Sequence, residues 1–205
     1  MSQKPPAIFI TDSAGLNFLN SLATPLDTEI DWIGDGEGLL TWLEQAQLVP
    51  ADILNTMRKQ AKPGEIDRVA AQARSLREWF RTFVREHKGR PLKASDLADL
   101  EPLNRLLARD EGFGHLVTHR RGKATKIELQ RTRRWRSPVS LLLPIGEALA
   151  KLLAEEDFSD VKACEGASCT LMFADRTRGR SRRWCSMEIC GNRAKQLTHR
   201  LKMSR

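Results

Sequence analysis

The chain has no long apolar run. Its opening, MSQKPPAIFITD, places only four apolar residues together before Asp12, too few for the apolar stretch of a secretion signal. The most apolar later stretch, Val139 to Ala154, is interrupted by Pro144, Glu147 and Lys151. It also falls short of the roughly 20 residues that a bilayer-spanning helix needs. Membrane anchoring is thereby disfavoured, and a soluble, cytoplasmic protein is the expectation. Tyrosine is absent, and nothing in the composition explains why. Five Trp, seven Phe and 40% hydrophobic content still suffice for a core, which excludes a disordered chain. There is no internal repeat, no low-complexity segment, no glycine-rich phosphate loop, no G-x-S-x-G and no nucleophile–base pair. Catalysis is therefore not expected. Cysteine is missing from the first 163 residues.

Basic residues are abundant but unevenly placed. Net charge is +8. Residues 1–119 carry 14 basic and 17 acidic side chains, and residues 137–163 carry two and five. Residues 120–136 carry eight basic and one acidic, and residues 164–205 carry ten and three. The excess sits in two blocks, and a concentrated basic patch favours a polyanion such as nucleic acid. A solvated basic surface that serves solubility is the plainer alternative.

Periodicity predicts a mostly helical first part. Short helices are expected over Ala14 to Leu22, Glu37 to Gln47 and Pro50 to Ala61. The longest helix is expected over Glu65 to His87, where Ile66, Val69, Ala73, Leu76, Phe80, Phe83 and Val84 recur at helical spacing. Ser95 is the expected N-cap of a helix through Leu107. Two strands, Phe113 to His119 and Thr125 to Trp135, form a hairpin turning at Arg120-Arg121-Gly122-Lys123, although their alternation is imperfect. Pro138 to Ala154 reads as one helix.

The four cysteines then arrive together as C-x4-C-x15-C-x4-C: Cys164, Cys169, Cys185 and Cys190. Two close pairs separated by a longer loop give the ligand logic of one structural zinc ion, with four thiolates and no open position for water. Disulfides are disfavoured in a reducing compartment. The spacing matches no standard iron–sulfur run, and four unrelated thiols would not cluster in this way. Gly166 is the expected bend of the first knuckle, and Leu171 to Phe173 a short strand. Ser186 is the expected helix cap, and Ala194, Leu197 and Leu201 the stripe of a last helix facing the metal. Between the pairs, Arg176, Arg178, Arg180, Arg182 and Arg183 stand within eight residues, with no lysine among them. Arginine suits bidentate phosphate and guanine contacts. The competing reading is that some of the five neutralise thiolates or cap a helix.

The order C-x4-C, F-x-D, an arginine-rich loop, then WCSM-x2-CGNR-x-K resembles the CGNR zinc finger over Cys164 to Lys195. In that family the finger follows an N-terminal domain called ABATE. Asn17-Phe18-Leu19-Asn20-Ser21 resembles the D-F-x-N-T opening of that domain, with Asn17 for Asp and Ser21 for Thr. Trp42, Leu103-Asn104-Arg105-Leu106-Leu107 and Trp135 resemble later elements of it. The resemblance implies a stress-induced transcription regulator whose finger binds DNA and whose N-terminal domain senses a small molecule or mediates assembly.

The expected architecture is α+β. It comprises a mostly helical regulatory or ligand-sensing domain with a β-hairpin over residues 1–160 and a treble-clef or zinc-ribbon-like finger over 161–205. Expected nucleic-acid contacts are Arg176, Arg178, Arg180, Arg182, Arg183, Arg193, Lys195 and Arg200, with the basic hairpin extending the patch. Asn17, Asn20 and Trp42 are the candidate small-molecule residues. DNA is the first expected partner, and a homodimer is compatible with it. RNA binding, or metabolite binding with a purely structural finger, is the alternative.

Overall fold

A computed structural model describes residues 4–25, 27–121 and 124–203, with backbone alone at 121, 124, 198, 199, 201 and 202. The predicted hairpin-turn residues Gly122 and Lys123 lie outside the described residues, as does the Leu201 side chain. The helices are α1 (Ala14–Leu19), α2 (Gly36–Gln45), α3 (Ala51–Gln60), α4 (Glu65–His87), α5 (Glu101–Leu107), α6 (Leu142–Glu155) and α7 (Asn192–Met203). Three antiparallel pairs complete the fold: β1 (Leu22–Ala23) with β2 (Ile30–Asp31), β3 (Gly112–Arg121) with β4 (Ala124–Arg133), and β5 (Val161–Ala163) with β6 (Met172–Ala174). No helix among the described residues is long and apolar enough to cross a membrane.

The α+β reading holds, with local differences that have physical causes. Helix α1 is capped by Ser13, whose hydroxyl accepts from Leu16 N–H, and it ends at Leu19 instead of Leu22. Two buried arginines of α4 secure that ending. Arg81 donates to the carbonyls of Leu19 and Leu22, and Arg77 donates to Ser21 Oγ at 3.0 Å. The predicted helix from Pro138 begins as a 3-10 turn, Pro138–Leu141, and becomes α-helical at Leu142. Pro144 has no N–H, and its ring opposes a helical carbonyl four residues back, so it fits only in a first turn. Ser95 caps nothing. Ala94–Leu100 is a 3-10 turn, and Pro102 starts α5 in its first turn.

Helix α1 lies at the centre, packed on α6 and α4, while α2 packs on α4 and α5 on α6. Gly15 permits the α1–α6 crossing, since a Cβ there would stand 2.7 Å from the Ala148 carbonyl oxygen. Phe18 meets Trp42 edge-on at 5.6 Å, and Phe83 meets Phe158 edge-on at 6.2 Å. The same continuous core takes in Val161, Cys164, Leu171, Met172, Phe173, Cys185 and Cys190. The finger is thus packed into the helical layer.

Candidate functional site

The metal centre is built by two short loops. After β5 the chain turns through Cys164 to Cys169 and enters β6. Cys164 N–H donates to the Leu171 carbonyl at 2.9 Å, and Cys169 N–H to that of Gly166 at 3.1 Å. Gly166 is where the expected bend falls, and its small size is required. A Cβ there would lie 2.9 Å from Cys190 Sγ and 3.0 Å from Cys169 Cβ. Of the second pair, Cys185 precedes and Cys190 lies within a turn of π-helix, Met187–Gly191, capped by Ser186, whose hydroxyl accepts from Ile189 N–H at 3.0 Å. Helix α7 follows directly.

The four sulfurs lie within 4.8 Å of one another. Zn–S bonds of about 2.3 Å in a tetrahedron imply sulfur–sulfur edges of about 3.8 Å, and Cys169 Sγ stands 3.9 Å from Cys185 Sγ. Backbone N–H groups of Cys185 and Gly166 point at Cys164 Sγ, at 3.2 and 3.4 Å, and favour its thiolate. Hydrogen bonding to the Cys164 and Cys169 sulfurs, then burial, pushes the Cys185 thiol up; burial pushes Cys190 up. A dication reverses that preference and takes all four as thiolates. The donor set fits one structural zinc ion, with every position filled by sulfur.

The basic loop is organised around the acid of the F-x-D element, Asp175, to which spacing alone assigns no role. Asp175 is fully buried at the end of β6. Its carboxylate accepts from Lys162 Nζ at 2.7 Å, Thr177 Oγ1 at 2.6 Å and Arg182 N–H at 2.8 Å. Burial pushes this carboxyl up, but the Lys162, Thr177 and Arg182 donors outweigh it and hold the group below the usual carboxylate range. A lone acid immediately before an arginine run was the available signal for such a hub.

The structure engages the arginines unevenly. Arg182 lies 4.3 Å over the Phe173 ring and donates to the Trp184 and Cys185 carbonyls, so it braces the metal loop. Arg180, in left-handed backbone at φ 47°, pairs with Asp160 at 3.0 Å and donates to the Asp175 carbonyl. Arg176 pairs with Asp12 at 3.3 Å and with Glu156. Arg183 pairs with Glu165 at 2.6 Å and lies over Trp184. Arg193 pairs with Asp27 at 2.8 Å. Arg178, Lys195 and Arg200 are exposed and have no side-chain partner among the described residues. Leu197 does not face the metal; it is exposed and lines an open cleft with Asp27, Ser168 and Arg200.

The three candidate ligand residues are engaged separately. Asn17 clasps Thr11, donating to its carbonyl at 2.8 Å and accepting from its hydroxyl at 3.1 Å. Asn20 is buried and binds Met172 twice, accepting from its N–H and donating to its carbonyl, both at 2.9 Å. Trp42 belongs to the core, and its rim lines a cleft with Trp32, Lys4 and Pro5.

Comparison with protein families agrees with this geometry. The ABATE family model, described as "Putative stress-induced transcription regulator", matches residues 12–156, and the CGNR zinc finger model matches residues 161–202. The chain belongs to the ABATE family and carries a CGNR zinc finger. A comparison with curated proteins gave no match.

Proposed function

We propose that the chain is a zinc-dependent, non-enzymatic transcription regulator that grips DNA with the exposed cations of its finger. The observation that carries this reading is the placement of Arg178, Lys195 and Arg200, unpaired among the described residues and solvent-facing, around a four-sulfur centre. Zinc and the Asp175 hub supply the rigid support that such contacts need. Arg176, Arg183 and Arg193 form an outer set, each held by a carboxylate that a phosphate can replace. Asp12, Glu156 and Asp27 come from the helical part, so the state of that part sets how many arginines reach the polyanion. This is the route by which the N-terminal domain, through a ligand or through assembly, would control the finger. Phe173 and Trp184 are both covered by arginines, which leaves DNA backbone contact favoured over stacking on single-stranded RNA.

The test is retention of the zinc-loaded chain on pooled genomic DNA fragments across a salt series, with an RNA competitor present. Three phosphate contacts imply a log–log salt slope near −2.7, and engagement of the outer set implies about twice that. Capture by RNA alone, or no retention near physiological salt, would remove the reading.

A further inference from the structure

The second basic block is a free-standing ribbon. β3 and β4 pair in register along their whole length, from Gly112 opposite Arg133 to Arg121 opposite Ala124. Ten residues per strand give a ribbon about 33 Å long, close to one turn of B-form DNA. The ribbon is held at its root, where Arg133 pairs with Asp110 at 3.0 Å and with Glu147, and Arg136 pairs with Glu111 at 2.7 Å. Beyond the root both faces are largely exposed. An isolated two-stranded ribbon is marginal in water, so one this long and bare is suited to being covered.

The register sorts its side chains. Paired residues share a face, so one face carries Leu116 with Leu129, Thr118 with Ile127, Arg120 with Thr125, and Arg131 opposite Gly114. Leu116 is 72% exposed, Ile127 66% and Leu129 60%. This face has no acid at all. Glu128, the sole acid of the two strands, falls on the other face beside His119, which stands 3.9 Å from it. Arg120 and Arg131 have no ion-pair partner among the described residues. The face therefore combines unpaired guanidinium groups with bare aliphatic side chains. A second copy laid on the same face would bring arginine against arginine, whereas a polyanion meets no such repulsion.

The root also adjoins the finger. Arg133 and Arg176 line one cavity of about 330 Å³, and their partners Glu147 and Glu156 are nine residues apart along and just past α6, about 13 Å. A duplex touching the finger is within reach of the ribbon.

We propose that the β3–β4 ribbon is a second nucleic-acid contact, lying along a duplex groove with Arg120 and Arg131 on phosphates and Leu116, Ile127 and Leu129 against sugars and base edges. A two-stranded ribbon fits the major groove, and aliphatic side chains serve as wedges in the minor groove. This rests on the nucleic-acid reading above, and it adds a contact outside the finger.

The experiment is fluorescence anisotropy of the full zinc-loaded chain on a mixed-sequence DNA duplex of about three helical turns, over a salt series. Four variants are compared with the wild type: Arg120→Ala with Arg131→Ala; the same two arginines changed to Lys; Leu116→Thr, Ile127→Thr and Leu129→Thr together; and Lys195→Ala with Arg200→Ala in the finger. The alanine pair should weaken binding about tenfold and flatten the log–log slope by about two. The lysine pair should keep the wild-type slope. The threonine triple should weaken binding at unchanged slope. Zinc content and circular dichroism should match wild type throughout, because every substituted side chain is exposed. Wild-type affinity and slope in both the alanine pair and the threonine triple, with binding weakened by the finger pair, would overturn the ribbon contact and leave the finger reading standing. Absence of binding by the wild type would overturn both. Conversion of a dimer to a monomer by the threonine triple, at unchanged duplex affinity per protomer, would make the face a self-association surface and overturn the proposal.

Discussion

Replacing Asn20 by alanine should unsettle both halves of the molecule at once. The Asn20 amide accepts from Met172 N–H and donates to the Met172 carbonyl, both at 2.9 Å. It thus stands in for the next strand along the outer edge of β6. Alanine leaves two buried backbone groups without partners, each costing about 1–3 kcal/mol. Water entering the vacated space recovers part of that, so the expected loss is about 3 kcal/mol, a large share of a typical domain's stability. Urea unfolding of the zinc-loaded protein should be followed by tryptophan fluorescence and, in parallel, by zinc release to a chromophoric chelator. With a urea slope of about 2–3 kcal/mol/M, both midpoints should fall together by about 1–1.5 M. Asn20→Asp keeps the acceptor but sets a buried carboxylate against the Met172 carbonyl and should fall at least as far as alanine at neutral pH. A midpoint unchanged in Asn20→Ala, or zinc release that separates from the fluorescence transition, would refute the idea that this amide joins finger and helices into one cooperative unit.

Three further perturbations follow from the same geometry. Gly166→Ala drives a methyl group to within 2.9 Å of Cys190 Sγ and should cut zinc affinity at least tenfold in a competition titration, while Gly179→Ala, with only Ser181 Oγ at 3.6 Å, should leave it unchanged. Asp31→Asn removes one of the two carboxylates on buried Arg77 (2% exposed), leaving Glu78 at 2.9 Å, and should cost about 1–3 kcal/mol at neutral pH. Burial pushes the Asp31 carboxyl up, but the Arg77 hydrogen bond and charge hold it below its ordinary value of 3.8. Its contribution is therefore complete above about pH 4 and is lost as pH falls through the folded pKa, so the variant should show a flatter acid limb in denaturation. Removing zinc with a chelator should lower the thermal midpoint of the helical part as well as the finger, as read by circular dichroism at the helix band; a helical transition indifferent to zinc would count against the shared core.

The metal centre was readable because its signal is local: four cysteines, a glycine bend and a serine cap are all fixed by spacing. The long helix α4 was equally plain from its apolar stripe. The fate of the arginines was not readable. Whether Arg182 faces solvent or lies on Phe173 depends on where β6 sets that ring and on the pull of Asp175, and neither is a property of the loop. The same holds for Asn20, whose partner is 152 residues away. The imperfect alternation of β3 and β4 was itself information. A strand buried on one face must alternate, and a ribbon packed on neither face is free not to.

The continuity of the core from Trp42 through Phe18 to Phe173 and Cys185 has a consequence for how such a protein would live in a cell. A finger tethered by a loose linker would lose its ion and merely stop reading. Here the ion is a keystone, and a chain made during zinc shortage has unpaired thiols inside its main core. Quality control removes molecules that spend more time open. Metal supply would then govern how many copies exist before it governs what any copy does, and regulation by scarcity would be written as turnover.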